Sequence, residues 1–235
     1  MQMRCEEIVM DIEYTWIRAK RKTIAIHVRN GEVVVRAPMF YSKSDVEEFV
    51  AEKEAWIKRH LADSKEELER KNAFELDYGS LVLYRGENYP IVAKNGNQVE
   101  FDGAAFNIPP GLPPEDVKGA CVQLYRALAK RDLTERTDYF AWETGITPSA
   151  VKITGAKARW GSCSSKKSIN FSWMLIMAEN DLIDYVIVHE LAHILEMNHS
   201  IWFWKLVETV FPDYADRKAR LGEFQKRVQS ENWDV

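Results

Sequence analysis

Residues 181–204 read DLIDYVIVHELAHILEMNHSIWFW. Within them lies His189-Glu190-Leu191-Ala192-His193, an H-E-x-x-H motif, and His199 follows six residues later. On an α-helix, side chains four residues apart lie one above the other, so His189 and His193 can address one ion. Glu190 projects about 100° further round the helix, close enough to act on a water at the ion without ligating it. The third imidazole must arrive after the chain leaves the helix. Glu196-Met197-Asn198 is the expected turn, with Asn198 tolerating a left-handed conformation. Three protein ligands with a fourth position open suit a catalytic Zn2+ site rather than a closed structural one. The chain has five histidines. Three of them at ligand spacing in one segment outweigh the alternative of isolated core or surface residues.

The 235-residue chain is 46% hydrophobic with a formal net charge of −4. That is material for one large domain or two small ones, and it gives no strong nucleic-acid signal. Cys5, Cys121 and Cys163 are odd in number and form no CxxC pair, which fits a reducing cytoplasm better than a disulfide framework. The opening MQMRCEEIVMDIEY carries acids where a signal peptide would be apolar. No segment approaches the ~20 apolar residues of a membrane span. The expectation is a cytoplasmic protein with no membrane partner; the oligomeric state is not legible.

Upstream, residues 14–38 read as a β-hairpin turning at Asn30-Gly31, with His27 on its polar face. Ser42 or Ser44 can cap a helix over residues 45–71, in which His60 is expected to be solvated. Residues 79–108 return to strand character, with turns at Asn95-Gly96 and Asp102-Gly103. The prolines at 109, 110, 113 and 114 place the expected boundary between an N-terminal region, 1–112, and a catalytic domain, 113–235. A long amphipathic helix follows over 115–143, burying Val117, Cys121, Leu124, Tyr125, Leu128 and Leu133, with Tyr139, Phe140 and Trp142 extending its apolar side.

From Gly145 to Ala178 there is no acidic residue, while Lys152, Lys157, Arg159, Lys166 and Lys167 are basic. Strands are expected at 151–153 and 168–175. The second alternates Ile169, Phe171 and Trp173 against Asn170, Ser172 and Met174, as a half-buried strand does. It leads into the H-E-x-x-H helix, capped by Asn180 or Asp181 with Asp184 behind. An exposed strand there can bind an extended peptide by its edge. The basic loop reads either as a solvated hairpin or as an anion contact through Arg159, Ser162, Lys166 and Lys167. After Ser200, a helix carries Phe203 and Trp204, expected to pack beneath the metal site. A last helix covers 214–227. Asp213, Asp216 and Glu223 are further ligand or partner candidates, with surface charge the plainer reading.

The runs KARWGSCSSKKSINFSWML and VIVHELAHILEMNHSIWFW resemble the YgjP-like zinc metallopeptidases, relatives of the WLM and SprT-like families. The earlier APMF and FVAEKEAWIKRH extend that resemblance over most of the chain. It implies a zincin-like α+β domain behind an N-terminal β-hairpin/helix region, zinc on His189, His193 and His199, and Glu190 as general base. Arg159-Trp160-Gly161-Ser162-Cys163 is a signature of the family whose role the resemblance does not supply. The histidine spacing equals that of metzincins, but Glu196 replaces their glycine, and the chain lacks their Met-turn.

The reaction expected is hydrolysis of a peptide or protein substrate by a zinc-activated water. Arg159 and Tyr214 are candidates for stabilising the oxyanion. Two alternatives are a metal-dependent nucleoside triphosphate pyrophosphatase using the Arg159–Lys167 loop, and a non-catalytic metal-stabilised binding module. Histidine ligation favours zinc over magnesium, and thereby peptide chemistry.

Overall fold

The computed structural model describes residues 4–9 and 11–234, with side chains from Asp11 onward; the side chain of Cys5 lies outside the described residues. The chain divides into two compact units, Met1–Phe74 and Glu75–Val235.

In the first unit, β1 (Arg4–Val9), β2 (Ile12–Ala19), β3 (Ala25–Arg29) and β4 (Glu32–Pro38) form one sheet in the order β1-β2-β4-β3. Asn30 and Gly31, at φ 52° and 75°, make the two-residue turn between β3 and β4. Residues 14–19, expected within that hairpin, belong instead to β2, which runs parallel to β4. Ile12, Tyr14 and Trp16 are all buried, so this stretch has an inward face of its own. Helix α1 (Lys43–Glu52) starts from Ser42, which exchanges hydrogen bonds with Asp45 in a capping box. The single helix expected here breaks at Lys53 (φ −100°, ψ 9°) and resumes as α2 (Glu54–Asn72). Val46, Val50 and Ile57 on its two parts all reach the sheet's core. His27 is exposed as expected, whereas His60 is half-buried and stacks on Trp56 at 4.0 Å.

The second unit opens with β5 (Leu81–Tyr84), β6 (Glu87–Ala93), β7 (Glu100–Phe101) and β8 (Phe106–Ile108), ordered β5-β6-β8-β7. Helix α3 (Pro114–Thr144) begins with proline in its first turn and ends at Gly145, φ 71°. Its predicted core residues, Val117 to Leu133, are buried; Phe140 is buried too, but Tyr139 and Trp142 are 55% and 81% exposed. Contacts from this helix tie residues 75–108 into the second unit. Tyr84 Oη donates to Asp132 at 2.5 Å, Tyr125 Oη donates to the Leu83 carbonyl at 2.6 Å, and Phe106 packs on Tyr125. The second compact unit starts at Glu75, ahead of the proline run.

Next come β9 (Ala150–Thr154), β10 (Gly161–Cys163) and β11 (Ser168–Ser172), ordered β10-β11-β9, with β11 antiparallel to β10 and parallel to β9. The strand expected to reach Leu175 stops at Ser172, and Trp173–Met177 wind into a 3-10 turn. Every residue from Phe171 to Ala178 is buried, so the predicted in-and-out alternation does not hold. The turn between β5 and β6 fastens this segment, with Arg85 and Gly86 amides donating to the carbonyls of Ile176 and Met177.

Helices α4 (Asn180–Ala192), α5 (Ile201–Val210) and α6 (Tyr214–Gln229) complete the α+β fold that the sequence predicts. The N-cap of α4 is Glu179, not Asn180 or Asp181, and no side chain caps it. The acids expected there bind arginines instead: Asp181 accepts from Arg220 at 2.6 Å and Asp184 from Arg136 at 2.5 Å. No described helix is long and apolar enough to cross a membrane.

Asp132 is 2% exposed and accepts from Tyr84, Arg85 and Arg131. Asp132→Ala is expected to cost about 2–3 kcal/mol in urea unfolding, since it strands these donors. Burial, then the bond to Asp132, pushes the Tyr84 hydroxyl up to about 12. The unfolded chain loses that proton near 10, so stability should fall as pH rises from about 10 to 12, less steeply in Tyr84→Phe.

Candidate metal centre

Helix α4 carries His189 and His193 on one face, and it ends so that His193 is its C-terminal cap residue. A turn returns the chain to Ser200, which opens α5. Its hydroxyl accepts from the amides of Trp202 and Phe203 and donates to Glu196 at 3.0 Å. Asn198 is not left-handed; the described non-glycine residues with positive φ are Asp11, Asn30, Arg85 and Lys167. The Ser200 hydroxyl, bonded both to the turn and to α5, shapes this reversal in its place.

The three histidines converge, each offering a ring nitrogen, with all three atoms within 4.8 Å of one another. His189 Nε2 and His199 Nε2 are 3.1 Å apart, and His193 Nδ1 lies 3.0 Å from the Glu196 carbonyl, leaving its Nε2 free. Burial, followed by its two neighbouring imidazoles and Lys218, lowers the His189 pKa to about 3. His199 is lowered by burial, His193 and Lys218. Neutral imidazole is the form that ligates a metal.

As the sequence suggests, the aromatics of α5 lie beneath this group. Phe203 is fully buried, with its ring 4.8, 4.5 and 4.7 Å from those of His189, His193 and His199. Trp204 stacks on His199 at 5.6 Å and is itself covered by Tyr214 at 5.0 Å, with Lys218 Nζ 4.8 Å from its ring. Lys218 escapes sequence reading, because a lysine in a charged helix carries no spacing signal. Asp213 and Asp216 face Arg217 and Arg220, Glu223 is exposed, and none of the three joins the histidines. Leu195, Met197, Ile201 and Trp202, between 52% and 68% exposed, form an apolar rim beside the His199 turn.

The Glu190 side chain lies against Gly161 of β10. It is 5% exposed, and its Oε2 has no hydrogen-bond partner in the protein. Burial raises its pKa to about 7, against a lowering influence from Arg159. A β-carbon at Gly161 would lie 2.6 Å from both Cγ and Oε1 of Glu190, so only glycine admits the carboxyl here. Trp160 anchors the start of β10, its ring stacked on Phe224 of α6 and its carbonyl accepting from the Ser172 amide. Arg159 and Ser162 line a cleft beside β10. Lys166 and Lys167 are exposed on the β10–β11 turn, Lys167 at φ 61°, and do not line it.

Three converging imidazole donors, with a buried carboxyl on the same helix that has an unpaired oxygen, fit a hydrolytic metal centre. The YgjP-like metallopeptidase domain family matches residues 22–224. The chain belongs to that family. Two solved structures are similar in part to this YgjP-like chain: the metallopeptidase zymogens abylysin of Pyrococcus abyssi and jannalysin of Methanocaldococcus jannaschii. The first is 24% identical, covers 43% of this chain and 97% of its own, and has a TM-score of 0.37. The second is 24% identical, covers 40% and 96%, and has a TM-score of 0.35. Comparison with curated proteins found no match.

The YgjP-like chain is expected to bind one divalent ion. Replacing His189, His193 or His199 with alanine should each weaken binding by more than about 100-fold. Metal analysis after dialysis reads this directly, and retained stoichiometry in any variant would remove that histidine from the ligand set.

Proposed function

We propose that this metallopeptidase-family chain is a zinc-dependent peptidase, with His189, His193 and His199 as ligands and Glu190 as general base. The observation that carries the reading is the convergence of three imidazoles, two of them on the helix that also bears the buried Glu190 carboxyl, whose Oε2 is free of any protein partner. An all-imidazole donor set suits zinc. When bound, the ion supplies Lewis acidity, which acidifies water toward neutrality and polarises the scissile carbonyl.

Glu190 Oε2 accepts a proton from the attacking water. The hydroxyl adds to the peptide carbonyl, and the same carboxyl returns the proton to the amine as the C–N bond breaks. A base with a pKa near 7 can do both at neutral pH. Burial excludes bulk water from that exchange, and Gly161 sets the distance between α4 and β10 at which it happens. The strand whose edge faces an extended substrate is β10 rather than β11: β11 pairs on both sides, and β10 ends the sheet.

Glu190→Gln should abolish cleavage of an unstructured protein such as casein while the metal stays bound; an active variant would sink the assignment. Gly161→Ala pushes the carboxyl off β10 and should lower turnover about 100-fold, again without loss of metal. Turnover unaffected by that substitution would detach Gly161 from the mechanism.

A further inference from the structure

The cleft beside β10 has a volume of about 240 Å³ and is lined by Thr154, Arg159, Gly161, Ser162, Asn170 and Ser172, among others. It is smaller than the ~300–1,000 Å³ of sites for drug-sized ligands and has the scale of a single side chain. Gly161 joins it to the catalytic carboxyl, because the same residue lies against Glu190. Its wall is polar. Asn170 Nδ2 reaches Ser162 Oγ at 3.4 Å, and the hydroxyls of Ser172 and Thr154 donate to the carbonyls of Ala156 and Phe171.

Arg159 is the charged member. Among the described residues it makes no hydrogen bond, ion pair or ring contact. The arginines of the neighbouring helices are engaged: Arg131 with Asp132, Arg136 with Asp184, and Arg217 and Arg220 with Asp213 and Asp181. No acidic residue occurs from Gly145 to Ala178, and the carboxyl on which Arg159 acts, Glu190, forms no ion pair with it. Arg159 is exposed at this lining, and a guanidinium beside hydroxyl and amide groups is matched by a carboxylate, which accepts two of its N–H groups in parallel.

We propose that this cleft is a specificity pocket for a carboxylate of the peptide substrate, held by Arg159 with Ser162 and Asn170. The proposal rests on the peptidase reading of the neighbouring site. The carboxylate comes from an acidic side chain or from the substrate's C-terminus, and each has its own arm in the test.

The experiment uses the full chain loaded with zinc and four otherwise identical fluorogenic peptides: Glu or Gln at each position near the scissile bond, and a free or amidated C-terminus. A charge-assisted pair predicts kcat/KM about 10- to 100-fold higher for the carboxylate-bearing peptide. That preference should collapse toward unity in Arg159→Met and recover in part in Arg159→Lys. The Glu/Gln contrast identifies a side-chain carboxylate, and the free/amide contrast a terminal one. Cleavage with neither preference, or a preference that survives in Arg159→Met, overturns the pocket and leaves the peptidase standing. Binding of the same labelled peptides to Glu190→Gln protein, followed by anisotropy, separates the two readings. Arg159-dependent binding of the carboxylate peptide without any cleavage by the parent enzyme keeps the pocket and removes the peptidase. Displacement of the peptide by ATP more strongly than by a glutamyl peptide overturns the carboxylate assignment in favour of phosphate.

Discussion

Glu190 is buried where a helix meets a strand edge, and the carboxyl group fits only because its neighbour on the strand has no side chain. Burying a carboxylate without full pairing is costly, and the group responds by holding its proton to higher pH. Both consequences fix the surroundings. Helix α4 must pass β10 at the distance Gly161 allows, and the residues before Gly161 must hold β10 in place. Trp160 meets that need through Phe224 and the Ser172 amide. The wholly buried 3-10 turn leading into α4, fastened by the Arg85 and Gly86 amides, sets the helix from its other end.

The histidines are organised by an apolar floor rather than by acidic partners. Phe203 touches all three rings, and Trp204 supports the third. Such surroundings favour the neutral form of His189 and His199, since desolvation disfavours the charged one. Polar bonds appear only where the chain must reverse. The Glu196 carbonyl fixes His193, and the Glu196 carboxylate accepts from Ser200, whose hydroxyl also caps α5. One serine thus couples the end of α4 to the start of the helix that carries the floor.

Local chemistry made much of this legible in the sequence. The i, i+4 histidines, the Asn30-Gly31 turn, the Ser42 and Ser200 caps and the buried stripe of α3 depend on near neighbours along the chain, and all are found. Misreadings arose where distant contacts decide. The alternation expected through Met174 fails because the segment is enclosed on every side. Asp181 and Asp184 look like helix-capping acids but are claimed by Arg220 and Arg136 from other helices. The proline run looks like a domain edge, yet Tyr84 and Tyr125 bind across it. Gly161 is legible only as a glycine in a signature, since its cause, the side chain of Glu190, lies on a different element.

Arg159 acts on the Glu190 carboxyl through space rather than through a bond. A direct ion pair would hold the Glu190 carboxyl ionised, with a pKa some 1–3 units below its usual range, leaving a weak base. No such bond forms; Arg159 exerts only a lowering influence, and burial outweighs it. The acid-free stretch leaves the guanidinium without a nearer carboxylate, so its hydrogen-bonding capacity stays available to a carboxylate from outside the protein. An unbonded guanidinium near a buried carboxyl therefore tempers that carboxyl's proton affinity without fixing its charge.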